Sequence, residues 1–322
     1  MIVNRDESIR SARPQEELVG EFLDSLDKKR NTVVAYRGIL GRYLKYLKER
    51  SIDKPVESDV KHYKDYLWHG GGVERHSSTV HSAIVALRRL YQWTERKGLY
   101  PNIATEVENV RVKATFRREP LTEEQAARLI EVAKKRAGKS IQNLRDCAIV
   151  MLIVMTGLRT IEVQNADVAD IRSLGGIVYL YVQGKGRDEK DERVKLPLSV
   201  QEAISAYLEK RGSDAAPLFL NHGEHTRDRR IAARTVSISV KHLLRAIGLD
   251  DKAYTAHSLR HTCATIALKS GASIQEVSAL LRHSSITTTT IYAHNIERET
   301  NNCELSVEKA LGLAKKNDGG GE

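Results

Sequence analysis

Four residues in the second half of the chain stand at intervals that suit chemistry on a phosphate. His257 and Arg260 lie one helical turn apart, His283 follows Arg260 by 23 residues, and Tyr292 follows His283 by nine. With 11 His and 12 Tyr in 322 residues, these two offsets arise by chance roughly once per 800 His-x-x-Arg sequences. The spacing therefore indicates that the four residues act together.

Further charged residues could join this set. Arg159 ends an apolar stretch, where a buried charge needs a partner, and Glu162 is close enough in sequence to orient its guanidinium. A purely structural Arg–Glu pair explains the same pattern. Lys185 lies between two glycines in a predicted hairpin turn, where it could reach a phosphodiester or simply be solvated. Guanidinium, imidazole and ammonium groups can together stabilise phosphate charge without a metal, and the usual nucleotide and metal motifs are missing.

The first hundred residues have the apolar spacing of helices. Helices are predicted near residues 14–26, 32–50, 57–68 and 77–97, which together form a small bundle. The periodicity fails over residues 110–120, a basic segment that we interpret as a linker. The sequence thus predicts a helical domain over residues 1–109 and a second domain over residues 121–314, followed by a Gly-rich, disordered tail at 315–322.

The second domain has a mixed pattern. A helix over 143–156 is apolar nearly all round, and residues 176–183 and 194–198 have the composition of two paired strands. Further helices are predicted over 235–247 and 255–270, and others after three capping pairs. These pairs are Thr122 with Gln125, Ser199 with Glu202, and Ser273 with Glu276. The fold class is therefore mainly α with a small antiparallel β-sheet.

Composition narrows the cellular context. Lys and Arg number 52 against 42 Asp and Glu, a net charge of +10 that favours a polyanion such as nucleic acid as partner. No apolar run reaches about 18 residues, which excludes a membrane-spanning helix. The three cysteines are far apart, as expected for reduced thiols in a cytosol. We expect a cytoplasmic, nucleoid-associated protein.

Five short segments carry a resemblance to a known family. Residues 156–159 (TGLR), 184–186 (GKG), 257–261 (HSLRH), 281–285 (LRHSS) and 291–292 (IY) resemble, in order and spacing, the motifs of the tyrosine recombinases of the phage integrase family, Xer-like subgroup. The resemblance covers nearly the whole chain and implies an N-terminal core-binding (SAM-like) domain and an α/β catalytic domain. Arg282 departs from the pattern, since the family usually has glycine there. Its side chain must point away from the phosphate or contact it.

The resemblance implies a mechanism and a role for each matching residue. Tyr292 would attack the scissile phosphate and form a 3′-phosphotyrosyl link, leaving a free 5′-hydroxyl. Two arginines, Arg159 and Arg260, would clamp the phosphate, and His283 would add a hydrogen bond. Lys185 would be the general acid and His257 a general acid/base, and Glu162 would support the arrangement. No metal or other cofactor is implied. Strands would be exchanged through a Holliday junction by a homo-tetramer on double-stranded DNA core sites.

Basic side chains in both domains are candidates for DNA contact, although a solvated surface explains each one equally well. The candidates are Lys45, Arg88, Arg89, Arg117, Arg118, Arg229, Arg230, Arg234, Lys241 and Arg282. The apolar residues Leu305, Val307, Leu311 and Leu313 could dock the C-terminal segment on a neighbouring protomer or on their own domain.

Two other functions remain open at the level of sequence. A type IB topoisomerase uses the same chemistry but relaxes DNA as a monomer, and the short helical first domain argues against it. A DNA-binding protein without catalysis would have lost the phosphate-clamping residues, yet all are present.

Overall fold

The chain folds into two compact units, residues Met1–Ala114 and Thr115–Glu322. The computed structural model describes residues 13–27, 30–70, 77–111, 118–184, 189–223, 228–283, 285–287, 289–293, 308, 310 and 311, without the side chains of 30 and 31. Within these ranges no helix is long and apolar enough to cross a membrane.

The first unit is a helical bundle, as the apolar spacing predicts. Its helices are α1 (Gln15–Asp24), α2 (Arg30–Glu49), α3 (Glu57–His69) and α4 (Ser77–Arg96). Tyr43, Tyr63 and Tyr91 are fully buried at its centre. The Tyr43 and Tyr91 hydroxyls hydrogen-bond at 3.0 Å, and Tyr91 donates to Gln15 Oε1 at 3.0 Å, so both of these buried hydroxyls have a partner.

The second unit surrounds one central helix. Helices α5 (Glu123–Ala137) and α6 (Ile141–Thr156) precede the short helix α7 (Thr160–Asn165) and the sheet, and α8 (Leu198–Arg211), α9 (Ala233–Ala246), α10 (Ala256–Lys269) and α11 (Ile274–Leu281) follow it. Helix α6 is buried over nearly its whole length, which confirms the prediction from its apolar sequence.

The sheet has three antiparallel strands in the order β1 (Ile171–Leu174), β2 (Ile177–Val182) and β3 (Glu192–Lys195). Leu180 on β2 pairs with Ile171 on β1 and with Val194 on β3, and Leu180 and Val194 face the core. The mainly helical fold with a small antiparallel sheet is therefore confirmed. Strand β1 was not predicted, because most of its short length is exposed and it lacks a buried alternation.

Two local predictions were wrong. The partner strand was expected at 194–198 but β3 ends at Lys195, and Ser199 does not cap α8. Pro197 occupies the N-cap position with φ −58°, so α8 begins at Leu198, two residues earlier than a Ser199 cap would place its start. The Ser199 hydroxyl instead lies 3.5 Å from Met155 Sδ.

The other capping pairs are confirmed. Thr122 Oγ1 accepts from the Gln125 amide at 3.2 Å, and Ser273 Oγ accepts from the Glu276 amide at 3.2 Å. Each glutamine or glutamate side chain accepts in return from its partner's backbone amide. These reciprocal bonds fix the starts of α5 and α11.

Candidate active site

The end of helix α6 presents Arg159. Gly157 ends the helix with φ +63°, and a Cβ at that position would lie 2.5 Å from Leu281 Cδ2. Arg159 caps α7, where its amide donates to Glu162 Oε2 at 2.8 Å and its Nη1 donates to Glu162 Oε1 at 2.6 Å. Glu162 is buried while Arg159 keeps 23% of its side chain exposed, so the carboxylate holds a guanidinium that still faces solvent.

Arg260, on helix α10, is the second arginine of the site and is only 1% exposed. Its Nη1 donates to the Gly157 carbonyl and its Nη2 to the Leu281 carbonyl, so it joins the ends of α6 and α11. Burial, together with the nearby charge of Arg159, lowers the pKa of Arg260 to about 10. Arg260 therefore remains a cation at neutral pH.

Tyr292 is buried at 3% exposure against Ala264, Val277 and Leu281. Its hydroxyl hydrogen-bonds with His261 Nδ1, and its ring lies 6.4 Å from the nearly parallel ring of His283. Burial raises the pKa of Tyr292 to about 12, although the positive charge of Arg260 opposes the rise. The hydroxyl is therefore protonated at neutral pH.

The histidines beside the tyrosine are neutral for the same physical reason. Burial and the neighbouring Arg260 lower the pKa of His283 to about 4, and burial and His257 lower that of His261 to about 3. His283 Nδ1 also hydrogen-bonds with Thr289 Oγ1 at 2.8 Å. Two neutral imidazoles thus flank the phenol beside a cationic arginine.

The structure brings together most of the residues that the sequence singles out: Arg159, Glu162, His257, Arg260, His283 and Tyr292. His257 is exposed and its ring centroid lies 4.5 Å from that of His261. Lys185 lies outside the described residues and stays a prediction. His261 was missed, although its i,i+4 spacing from His257 indicated a shared helix face.

The predicted DNA-contacting residues fall into two groups. Lys45, Arg89, Arg229 and Arg234 are exposed, and Arg117 lies outside the described residues. The other five donate hydrogen bonds within the protein, and their contact with DNA stays a prediction. Arg88 donates to the Val107 carbonyl, Arg118 to that of Lys252, and Arg282 to Glu162. Arg230 donates to the Gln164 and Ala166 carbonyls and to Asp167, and Lys241 donates to the Asp251 and Tyr254 carbonyls. Apart from Arg282, each of these satisfies loop or helix-end carbonyls that would otherwise lack a donor.

Comparison with known proteins identifies the chain's relatives. The sequence profile of the phage integrase family matches residues 119–299, and that of the phage integrase N-terminal SAM-like domain matches residues 19–98. The chain belongs to the phage integrase family. The tyrosine recombinase XerC of Pelobacter propionicus is 32% identical over 295 residues, 88% of this chain and 92% of that protein. The match to an Xer-like tyrosine recombinase is therefore confirmed.

Solved structures of other phage integrase family members share the fold. XerH recombinase bound to palindromic difH substrate, in a post-cleavage complex, has a TM-score of 0.68 at 18% identity. The match covers 90% of this chain and 94% of the XerH chain. A lambda integrase tetramer bound to a Holliday junction has a TM-score of 0.67 at 18% identity, and the match covers 89% of this chain and 79% of the lambda integrase chain. At this identity the two structures support the fold.

Proposed function

We propose that the protein is a site-specific DNA recombinase that cuts and rejoins DNA through a 3′-phosphotyrosyl link at Tyr292. The observation that carries the proposal is the convergence of a phenol, a buried arginine and a second, partly exposed arginine, from segments far apart in sequence. Membership of the phage integrase family supports the same reaction.

Arg159 and Arg260 would stabilise the negative charge that develops on the phosphate. Arg260 is held by two backbone carbonyls and Arg159 by Glu162, so neither guanidinium must reorganise during the reaction. Fixed cations in a site that excludes water stabilise a transition state more than solvated ones do. The two arginines would thus stabilise the phosphate charge, as a divalent cation does in other phosphoryl-transfer enzymes.

The phenol needs help to attack. With a pKa of about 12, the Tyr292 hydroxyl must lose its proton during or before bond formation. His257 is the proposed acid/base, His283 donates a hydrogen bond to the phosphate, and Lys185 protonates the departing 5′-oxygen. At 3% exposure, the tyrosine must also move before its oxygen can meet a phosphodiester.

Double-stranded DNA is the proposed partner, and the protein would act as a homo-tetramer that exchanges strands through a Holliday junction. The lambda integrase structure shows a tetramer bound to such a junction, which supports this assembly. The exposed basic residues Lys45, Arg89, Arg229 and Arg234 are the proposed DNA contacts, and a C-terminal segment docked on a neighbour would link protomers. The proposed location is the cytoplasm, in association with the nucleoid.

A covalent-capture experiment tests the proposal. The preferred duplex is selected by the protein from a random-sequence pool, then rebuilt with a nick beside the scissile phosphate so that religation is prevented. We expect a protein–DNA adduct that survives denaturation, and its loss in Tyr292→Phe. DNA that is bound but never captured covalently would contradict catalysis, and relaxation of supercoiled DNA without recombinant products would favour a topoisomerase.

A further inference from the structure

Arg282 stands where the family resemblance leads one to expect glycine, and its backbone still adopts a glycine-like conformation. It ends helix α11 with φ +54° and ψ +49°, the left-handed region that L side chains enter at a cost. A side chain retained at such a position is expected to make interactions that offset the cost.

The side chain of Arg282 is 3% exposed and points inward to Glu162. Its Nη2 donates to Glu162 Oε2 at 2.9 Å and its Nη1 donates to the Leu280 carbonyl at 2.7 Å. Glu162 Oε2 also accepts from the Arg159 amide, while Oε1 accepts from Arg159 Nη1. The buried carboxylate is therefore held between two arginines from different elements.

The net charge of Arg159, Glu162 and Arg282 determines how strongly they attract a phosphate. Arg159 alone with Glu162 would form a neutral pair, which would offer little net attraction to an anion. Arg282 adds a second guanidinium that bonds directly to this carboxylate, so the positive charge of the partly exposed Arg159 is no longer balanced by Glu162 alone. Arg260 contributes a further charge nearby, but its guanidinium donates to backbone carbonyls. Arg282 also follows Leu281, whose carbonyl holds Arg260, and precedes His283.

We propose that Arg282 is a positioning residue for DNA cleavage, which clamps Glu162 and so fixes the orientation of Arg159 and preserves its charge for the scissile phosphate. This inference rests on the proposed recombinase function. In this role Arg282 acts through Glu162, to which it donates a hydrogen bond, and does not itself contact the phosphate.

The protonation of Glu162 gives the proposal a specific signature. Burial by itself would raise the pKa of Glu162, but Arg282 and Arg159 together lower it below its usual value. The cations that face this carboxylate are Arg159, Arg282 and, from α10, Arg260. Without Arg282, the carboxylate would take up a proton at higher pH and release Arg159.

The test measures single-turnover cleavage of the nicked duplex against pH for wild type, Arg282→Gly and Arg282→Lys. Glycine suits the left-handed backbone, so Arg282→Gly removes the guanidinium while keeping the turn. Ser51→Gly is the matched control, because Ser51 is an exposed residue with nearly the same φ, +53°, in the first unit.

For Arg282→Gly we expect unchanged DNA affinity, cleavage slower by about 10- to 100-fold, and an acid limb of the rate profile that lies at higher pH than in wild type. Arg282→Lys should keep the acid limb of wild type but cleave more slowly, since an ammonium lacks the planar fork. Ser51→Gly should match wild type in both respects.

Several results would overturn the proposal. A wild-type rate and profile in Arg282→Gly would do so, and so would a loss of rate that is equal at every pH, which is the behaviour of a merely structural residue. If Arg282→Gly does not fold, a wild-type rate in Arg282→Lys would also overturn it. Absence of the Tyr292-dependent adduct in wild type would instead contradict the recombinase function itself.

Discussion

His261 Nδ1 hydrogen-bonds with the hydroxyl of Tyr292, joining helix α10 to the residue that we assign as nucleophile. Both side chains are buried, so each polar atom depends on protein partners and not on water. Because His261 directly follows Arg260, one segment of α10 supplies both a cation for the phosphate and a neutral imidazole for the phenol.

This contact should give a measurable coupling energy. Changing His261→Ala should destabilise the protein by about 1–3 kcal/mol, since the phenol loses a partner in a buried place. The same change in a Tyr292→Phe background should cost less, with a coupling of about 0.5–3 kcal/mol. Urea unfolding of the four proteins measures this, and strictly additive free energies would show that the hydrogen bond contributes nothing.

Stability should fall on acidification before the carboxylates begin to titrate. The folded-state pKa values of His261 and His283, about 3 and about 4, are depressed by burial, whereas unfolded histidines titrate near pH 6.5. The unfolded chain therefore binds more protons below about pH 6.5, and stability that is full above this pH is lost as pH falls towards the folded values.

Urea unfolding at about pH 7, 6 and 5 measures this dependence. His261→Asn should show a shallower decline than wild type, because one of the groups that takes up a proton on unfolding is gone. A free energy of unfolding that stays constant over this range would contradict the assignment of neutral, buried imidazoles.

The two clamping arginines should differ in their effect on stability. Arg159→Lys keeps a cation at a partly exposed position and should unfold like wild type, yet cleave about 10²–10³-fold more slowly. Arg260→Lys should lose similar activity and also stability, by about 1–3 kcal/mol, because the Gly157 and Leu281 carbonyls lose donors. Equal stability of the two variants would show that Arg260 does not tie α6 to α11.

Gly157 should tolerate no side chain. Gly157→Ala places a Cβ 2.5 Å from Leu281 Cδ2 at a positive φ, whereas Gly175→Ala has a similar φ of +58° and open space. Both carry the backbone penalty, so the clash alone should make Gly157→Ala the less stable by about 1–3 kcal/mol. Thermal unfolding compares the two, and similar losses would mean that Leu281 moves aside without cost.

Much of the site could be predicted because its residues lie at fixed offsets on strongly patterned elements. The apolar helix α6 and the capping pair before α11 can be recognised from local sequence. The spacing of His257, Arg260, His283 and Tyr292 then indicates that these residues belong to one site. The His261–Tyr292 bond could not be predicted in this way, since it depends on how a segment 31 residues away returns to α10.

The basic surface was harder to predict, because charge alone does not reveal a side chain's partner. Arg230 and Lys241 are candidate DNA contacts by sequence, and the fold shows that they also donate to carbonyls at the end of α7 and after α9. Arg282 is likewise a candidate DNA contact by sequence, and only the fold shows that it donates to Glu162. Such roles depend on tertiary contacts that have no local sequence signal.

The most direct measurement of the central claim is mass spectrometry of the protein digested after reaction with the nicked duplex. We predict a single modified peptide that carries the 3′-phosphate of the DNA on Tyr292, and no such peptide from Tyr292→Phe. A nucleotide attached to another residue, or no attached nucleotide when the duplex is bound, would contradict the assignment of Tyr292 as the nucleophile.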